Sequence, residues 1–197
     1  QTTARKNTGV GSKVGASTTT GGSNVAMGQD TFRNNTTGSN NVAIGTTALN
    51  ANTTASNNTA VGFSSLTANT TGTENTAVGQ NALTKNTTAD NNTAMGNSAL
   101  ACNTTGAANT AVGKVALLDT TSGSENAAVG FESLQNVTTG YQNTAIGRSS
   151  GDNVTTGYGN VFLGRNTNPS SASSNNEIVI GCDLNGEGAG YITIGRD

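Results

Sequence analysis

The sequence predicts an all-β protein, a parallel β-solenoid (β-roll) of about eleven 17-residue coils. Three observations predict it. A glycine returns at a fixed step along the chain, an aliphatic residue always precedes it, and Asn, Thr and Gly crowd the sequence where an ordinary core would need apolar residues. Only 32% of the 197 residues are hydrophobic, yet the net charge is −2 and charged residues are 10%. Low hydrophobicity produces disorder chiefly when it is joined to high net charge, so a repeated hydrogen-bonded architecture is the expected source of order.

The repeat is read most easily from Gly62 as position zero. Equivalent glycines stand at Gly11, Gly28, Gly45, Gly79, Gly96, Gly113, Gly130, Gly147, Gly164 and Gly181, each 17 residues from the next, with a shorter step to Gly195. Position −1 is always aliphatic, as in Val10, Met27, Ile44, Val61, Val78, Met95 and Ile180. Position −4 is Asn from Asn7 to Asn160 and then Glu177. Position +4 carries Phe32, Leu49, Leu66, Leu83, Leu100, Leu117 and Leu134, and turns to Gly15, Gly151 and Asn168 toward the ends. A fixed period of this length is the signature of a stacked array.

The coil is expected to be β rather than helical. Seventeen residues are too few for a helix pair, and Asn, Thr and Gly are poor helix formers. The unit Asn58-Thr59-Ala60-Val61-Gly62 alternates, with Thr and Val on one face and Asn, Ala and Gly on the other. The Thr-Thr-Gly segment that follows position +7 suits a turn, with Gly free to take positive φ. Copies stacked about 4.8 Å apart give a rod roughly 50 Å long, and identical Asn side chains in register bond along the stack. A hexapeptide helix has a similar coil length but needs three aliphatics per coil. The two columns at −1 and +4 predict a flattened two-strand coil with both columns buried.

Two aliphatics per coil bury little, which predicts further burial between chains. The small residues at −2 (Ala43, Ala60, Ala77, Ala94, Ala111) lie opposite the Val face and are the expected subunit seam of a homo-oligomer. The repeat occupies residues 1–181, and residues 182–197 form a short terminal coil.

Units such as Asn75-Thr76-Ala77-Val78-Gly79, followed by Ala82-Leu83 and Asn86-Thr87-Thr88, resemble the repeats of phage tail-fibre and bacterial tail-fibre-domain surface proteins. More distantly they resemble the head of trimeric autotransporter adhesins, which has a shorter Ala-Ile-Gly coil. The resemblance covers about Asn7 to Gly195. It implies a left-handed homotrimer, a rigid rod for surface or host attachment, and a location outside the cell, at a cell surface or on a virion tail. The segments Asn176–Gly181 and Tyr191–Gly195 look like those that precede a stalk or a C-terminal chaperone domain, so such a domain is expected beyond Asp197, removed by cleavage or truncation. A subunit of a self-assembling extracellular filament is the alternative reading.

No enzyme chemistry is expected. The chain has no His, so His-dependent triads and His metal sites are ruled out. Acidic residues hold no repeated pair position, and Cys102 and Cys182 share no metal spacing. No catalytic residue, cofactor or metal is therefore assigned. The charge balance gives no footprint for nucleic acid, and no apolar run is long enough for membrane insertion. Ten Asn-x-Thr sequons, Asn34 and Asn69 among them, are explained by the turns. Columns of Thr at −3 and at +8 and +9 raise ice binding as a further alternative, although adjacent Thr-Thr places its hydroxyls on opposite faces. The expected ligand surface lies where the repeat deviates. Tyr141 and Tyr158 share position +11 in successive coils, and Arg148 and Arg165 share position +1. Aromatics of this kind suit the faces of sugars, so a cell-surface glycan or receptor is the expected partner besides the chain itself.

Overall fold

The computed structural model describes residues 6–195. The outermost residues of both sequence segments, 1–5 and 196–197, lie outside that range. Among the described residues there are twelve strands and no helix. The strands run from Thr8–Val10 to Ile192–Gly195 and form one parallel sheet in sequence order. Each aligns with its copy one coil away, Thr59 with Thr76, Ala60 with Ala77 and Val61 with Val78. The chain is a β-solenoid of about eleven turns, as the period requires.

Each coil contributes one strand, not two. The reason lies in the backbone of the remaining residues. Positions +2, +4 and +12 take left-handed φ in coil after coil, as at Ser64 (53°), Leu66 (50°) and Glu74 (59°). Those dihedrals bend the chain and prevent a second extended run. The coils still bond to one another there: Leu66 N–H donates to Ala82 O (2.9 Å) and Thr70 N–H to Thr87 O (2.9 Å). Glycine is required at position zero, where φ is near 135° and a Cβ would run into the glycine of the next coil. Position +10 does not have the expected positive φ: Gly106 has an ordinary φ, and the column accepts a small side chain at Ala55, Ala89 and Ser174.

The interior also departs from the expected arrangement. The strand turns its Ala inward and its Val outward. Ala43, Ala60, Ala77, Ala94 and Ala111 have zero exposure, whereas Ile44 is 37%, Met95 44% and Ile146 50% exposed. The alanine column is therefore core, not a subunit seam. Inside, it packs with the Leu column at +4 and the small residues at +3, such as Ala82, Ala99 and Ser133. In the regular coils alanine at −2 and leucine at +4 thus share the interior, and the larger Phe162 and Val179 take the −2 position near the C-terminal end.

Two buried asparagine ladders complete the interior. At −4, each Oδ1 accepts the backbone N–H of the next coil, as in Asn58 to Asn41 (2.9 Å) and Asn75 to Asn58 (2.9 Å). The same amides donate to the carbonyl at +10, Asn58 to Gly72 O (2.9 Å). At +7 the amides bond to each other, Asn86 to Asn69 (2.9 Å) and Asn103 to Asn86 (3.0 Å). Stacking thus satisfies polar groups that a small apolar core could not dilute. The first ladder ends at Glu177, whose N–H donates to Asn160 Oδ1 (2.9 Å) and whose buried carboxylate accepts from Ser170 N–H (2.9 Å) and Ser170 Oγ.

Candidate functional site

Three surfaces stand out from the repeated background. The broadest is the outer face of the sheet. Strand alternation places positions −3 and −1 outward together. The −1 column runs Val10, Met27, Ile44, Val61, Val78 and Met95 and continues to Ile146 and beyond, none of it buried. Beside it run Thr59, Thr76, Thr93, Thr110 and Thr144, with Val25, Val42 and Val161 in the same column. A continuous apolar stripe of this length is uncommon on an isolated chain.

The second surface is the corner at +11. Tyr141 and Tyr158 stack, with ring centroids 4.9 Å apart and planes within 4°. Sequence register alone predicts this contact, because identical positions lie one coil apart. Gln142 and Glu125 stand beside them at +12, both exposed, with Gln142 Nε2 donating to Glu125 Oε2 (3.0 Å).

The third is the column at +1, beyond the C-terminal end of each strand and separate from the tyrosine corner. Arg148 lies 5.7 Å and Lys114 5.9 Å from the centre of the Phe131 ring, a cation on each neighbouring coil. Arg165 is engaged elsewhere. Contacts with Cys182 (3.4 Å) and Asp183 hold its guanidinium more firmly charged than usual. Asp183 is held below the ordinary carboxyl range, first by Asn166 (2.7 Å), then by Cys182 and Arg165. Asp152, next to Gly151, is shifted upward by burial and then by the charge of Glu132. The four candidate ligand residues therefore divide into a stacked tyrosine pair and two arginines with different partners.

Two further groups of residues have structural duties. The Thr hydroxyls at +8 donate to the next coil's backbone, as Thr53 to Thr70 O (3.1 Å) and Thr70 to Thr87 O (3.0 Å). Asn35, Asn52, Asn69, Asn86 and Asn103 of the sequons are buried. At the N-terminal end, Val14, Ala26, Phe32, Asn7 and Asn24 line a cavity that opens because Gly15 stands where later coils have Leu. Among the described residues no group of three or more Asp, Glu or Cys side chains converges as a metal site.

Comparison with protein-family models, with curated proteins and with solved structures returned no match for this chain.

Proposed function

We propose that the chain is a non-enzymatic structural rod, a homotrimeric extracellular fibre module for attachment to a surface or host. The observation that carries this reading is the outward aliphatic column at −1. A partner that covers such a column must present apolar groups at the same pitch over many coils. A second copy of the chain does so by construction, and cyclic symmetry lets every copy cover the same stripe. The seam moves from the alanines to Ile44, Val61, Val78 and Met95, while the reason for a seam, scarce burial within one coil, is unchanged. Mass measurement at low micromolar concentration should give about three times 19.5 kDa. A stable monomer overturns the reading, and a dimer retains the seam but removes the trimer.

Ice binding is the second reading, favoured by one observation: the Thr column at −3 is outward on a regular sheet beside the aliphatics. It requires the face that the trimer would cover. Thermal hysteresis from a monomeric sample supports it, and its absence leaves the fibre.

A further inference from the structure

Position +11 has a structural duty in five coils. Its side chain accepts the backbone N–H of the same position one coil earlier. Gly22 N–H donates to Ser39 Oγ (3.0 Å), Ser39 to Ser56 Oγ (3.0 Å), Thr73 to Asp90 Oδ1 (2.6 Å), Ala107 to Ser124 Oγ (3.0 Å) and Tyr158 to Asn175 Oδ1 (2.9 Å). The acceptor must be close to the backbone. A tyrosine oxygen sits at the far end of its ring, and no such bond joins Ser124 to Tyr141 or Tyr141 to Tyr158. Thr73 and Ala107 also interrupt the series, but both are small. The two tyrosines forgo the bond and also leave a large aromatic surface in water, with Tyr141 43% exposed. In return the solenoid receives the stacking of the two rings on each other.

What the corner gains is a recognition surface. The rings are parallel and one coil apart, so one face of Tyr141 is covered by Tyr158 and the other lies toward the coil of Ser124 and, beyond it, that of Ala107, where the side chains at this position are small. Ser124 holds the same position one coil earlier, and Gln142 and Glu125 hold the adjacent position +12 in the same two coils, exposed and joined by a hydrogen bond. An apolar ring face with hydrogen-bonding groups at its edge matches a pyranose, which has C–H groups on one face and hydroxyls around its rim. Glu125 opposes a carboxylated or sulfated sugar. We infer that the Tyr141–Tyr158 corner is a binding subsite for a neutral pyranose. This names a ligand class for the attachment reading, and the two fail separately, one on binding and the other on mass.

The test is ligand-observed saturation-transfer NMR on the full chain, with millimolar methyl glucoside, methyl galactoside and methyl N-acetylglucosaminide against methyl glucuronide. Saturation transfer is expected to at least one neutral sugar and to be at least fivefold weaker to the glucuronide. Tyr141→Ser should reduce the neutral signal at least fivefold. It should also hold or raise the melting temperature, because serine restores the acceptor for Ser124 N–H. The proposal is overturned by no transfer to any neutral sugar, by equal transfer to the glucuronide, or by an undiminished signal in Tyr141→Ser. A fall in melting temperature in Tyr141→Ser also overturns it, since the ring would then belong to the packing. Mass measured on the same samples reads the oligomer independently.

Discussion

Phe162 fills the space that Gly151 leaves. A Cβ on Gly151 would stand 2.7 Å from the Phe162 ring and 2.8 Å from Leu134. In the regular coils the buried interior has a leucine at +4 and an alanine at −2 of the next strand, as at Leu134 and Ala145. Here the large and small residues have exchanged positions. The loss of Leu at this point is thus a repacking that conserves volume, which is the kind of change that cores accept.

That exchange predicts a coupled pair. Phe162→Ala alone should destabilise the chain by about 3–5 kcal/mol, as for other buried aromatics. Gly151→Leu alone should cost at least about 1–3 kcal/mol through overpacking. The backbone is not the obstacle, because φ is 67° at Gly151 and 49–53° at the Leu residues of the same column. The double variant restores the regular arrangement and should fall within about 1 kcal/mol of wild type, far from additivity. Urea unfolding of the four proteins measures the coupling, and additive losses would show that the two sites do not share space.

The ladder at +7 stops at a fault. Asn103 Oδ1 and Thr120 Oγ1 are adjacent in the column, buried, and without hydrogen-bond partners, and Val137 and Val154 follow. Thr120→Val removes the hydroxyl with little change of shape and continues the valines. A stabilisation of about 1 kcal/mol is expected. Asn86→Val in the intact part of the ladder should instead cost about 2 kcal/mol or more, because it strips Asn69 Oδ1 of its donor. Denaturation midpoints check both, and equal effects at the two sites would mean that the ladder bonds contribute nothing.

Much of this architecture is legible in the spacing. The 17-residue period fixes the register, so the Asn ladders and the stacking of Tyr141 on Tyr158 follow from identical positions lying one coil apart. Which strand face turns inward does not follow from alternation, since Ala and Val each mark a possible interior. The closed path of the coil decides it, and that path is bent by the left-handed residues at +2, +4 and +12. Leu66 and Leu83 at positive φ are atypical for branched side chains, so no propensity rule signals them. The duty of +11 was readable in principle from Ser39, Ser56, Ser124 and Asn175. The acceptor role appears only when the backbone N–H of the previous coil is in view.

Two carboxylates should give opposite pH effects. Asp152 is shifted above its ordinary 3.8 by burial and by Glu132. The fold therefore favours its protonated form, and that contribution is complete below the ordinary value and lost as pH rises through the raised one. Asp183 is shifted down, so its contribution is present above the ordinary value and lost as pH falls through the lowered one. Asp152→Asn should flatten the decline in melting temperature from pH 4 to pH 7, and Asp183→Asn should flatten the decline on acidification below pH 4. Unchanged slopes in both variants would show that neither site is coupled to folding.

Adjacent residues on one strand should respond to the same substitution in opposite ways. Ala94 has zero exposure, its side chain enclosed by the Leu column, whereas Met95 projects from the outer face at 44%. Ala94→Glu forces a larger, charged side chain into a filled interior with no cation to receive it. Such a group costs several kcal/mol, so the chain should lose its β circular dichroism at room temperature or melt far lower. Met95→Glu places the same charge on the surface of a single chain and leaves the solenoid intact. If copies associate through the aliphatic column, however, three glutamates would meet at the seam. The expected product is a folded monomer of 19.5 kDa with an unchanged β spectrum. Assembly that survives Met95→Glu, and also Ile44→Glu, would place the contact on another face. A folded Ala94→Glu would reverse the inward and outward sides of the strand.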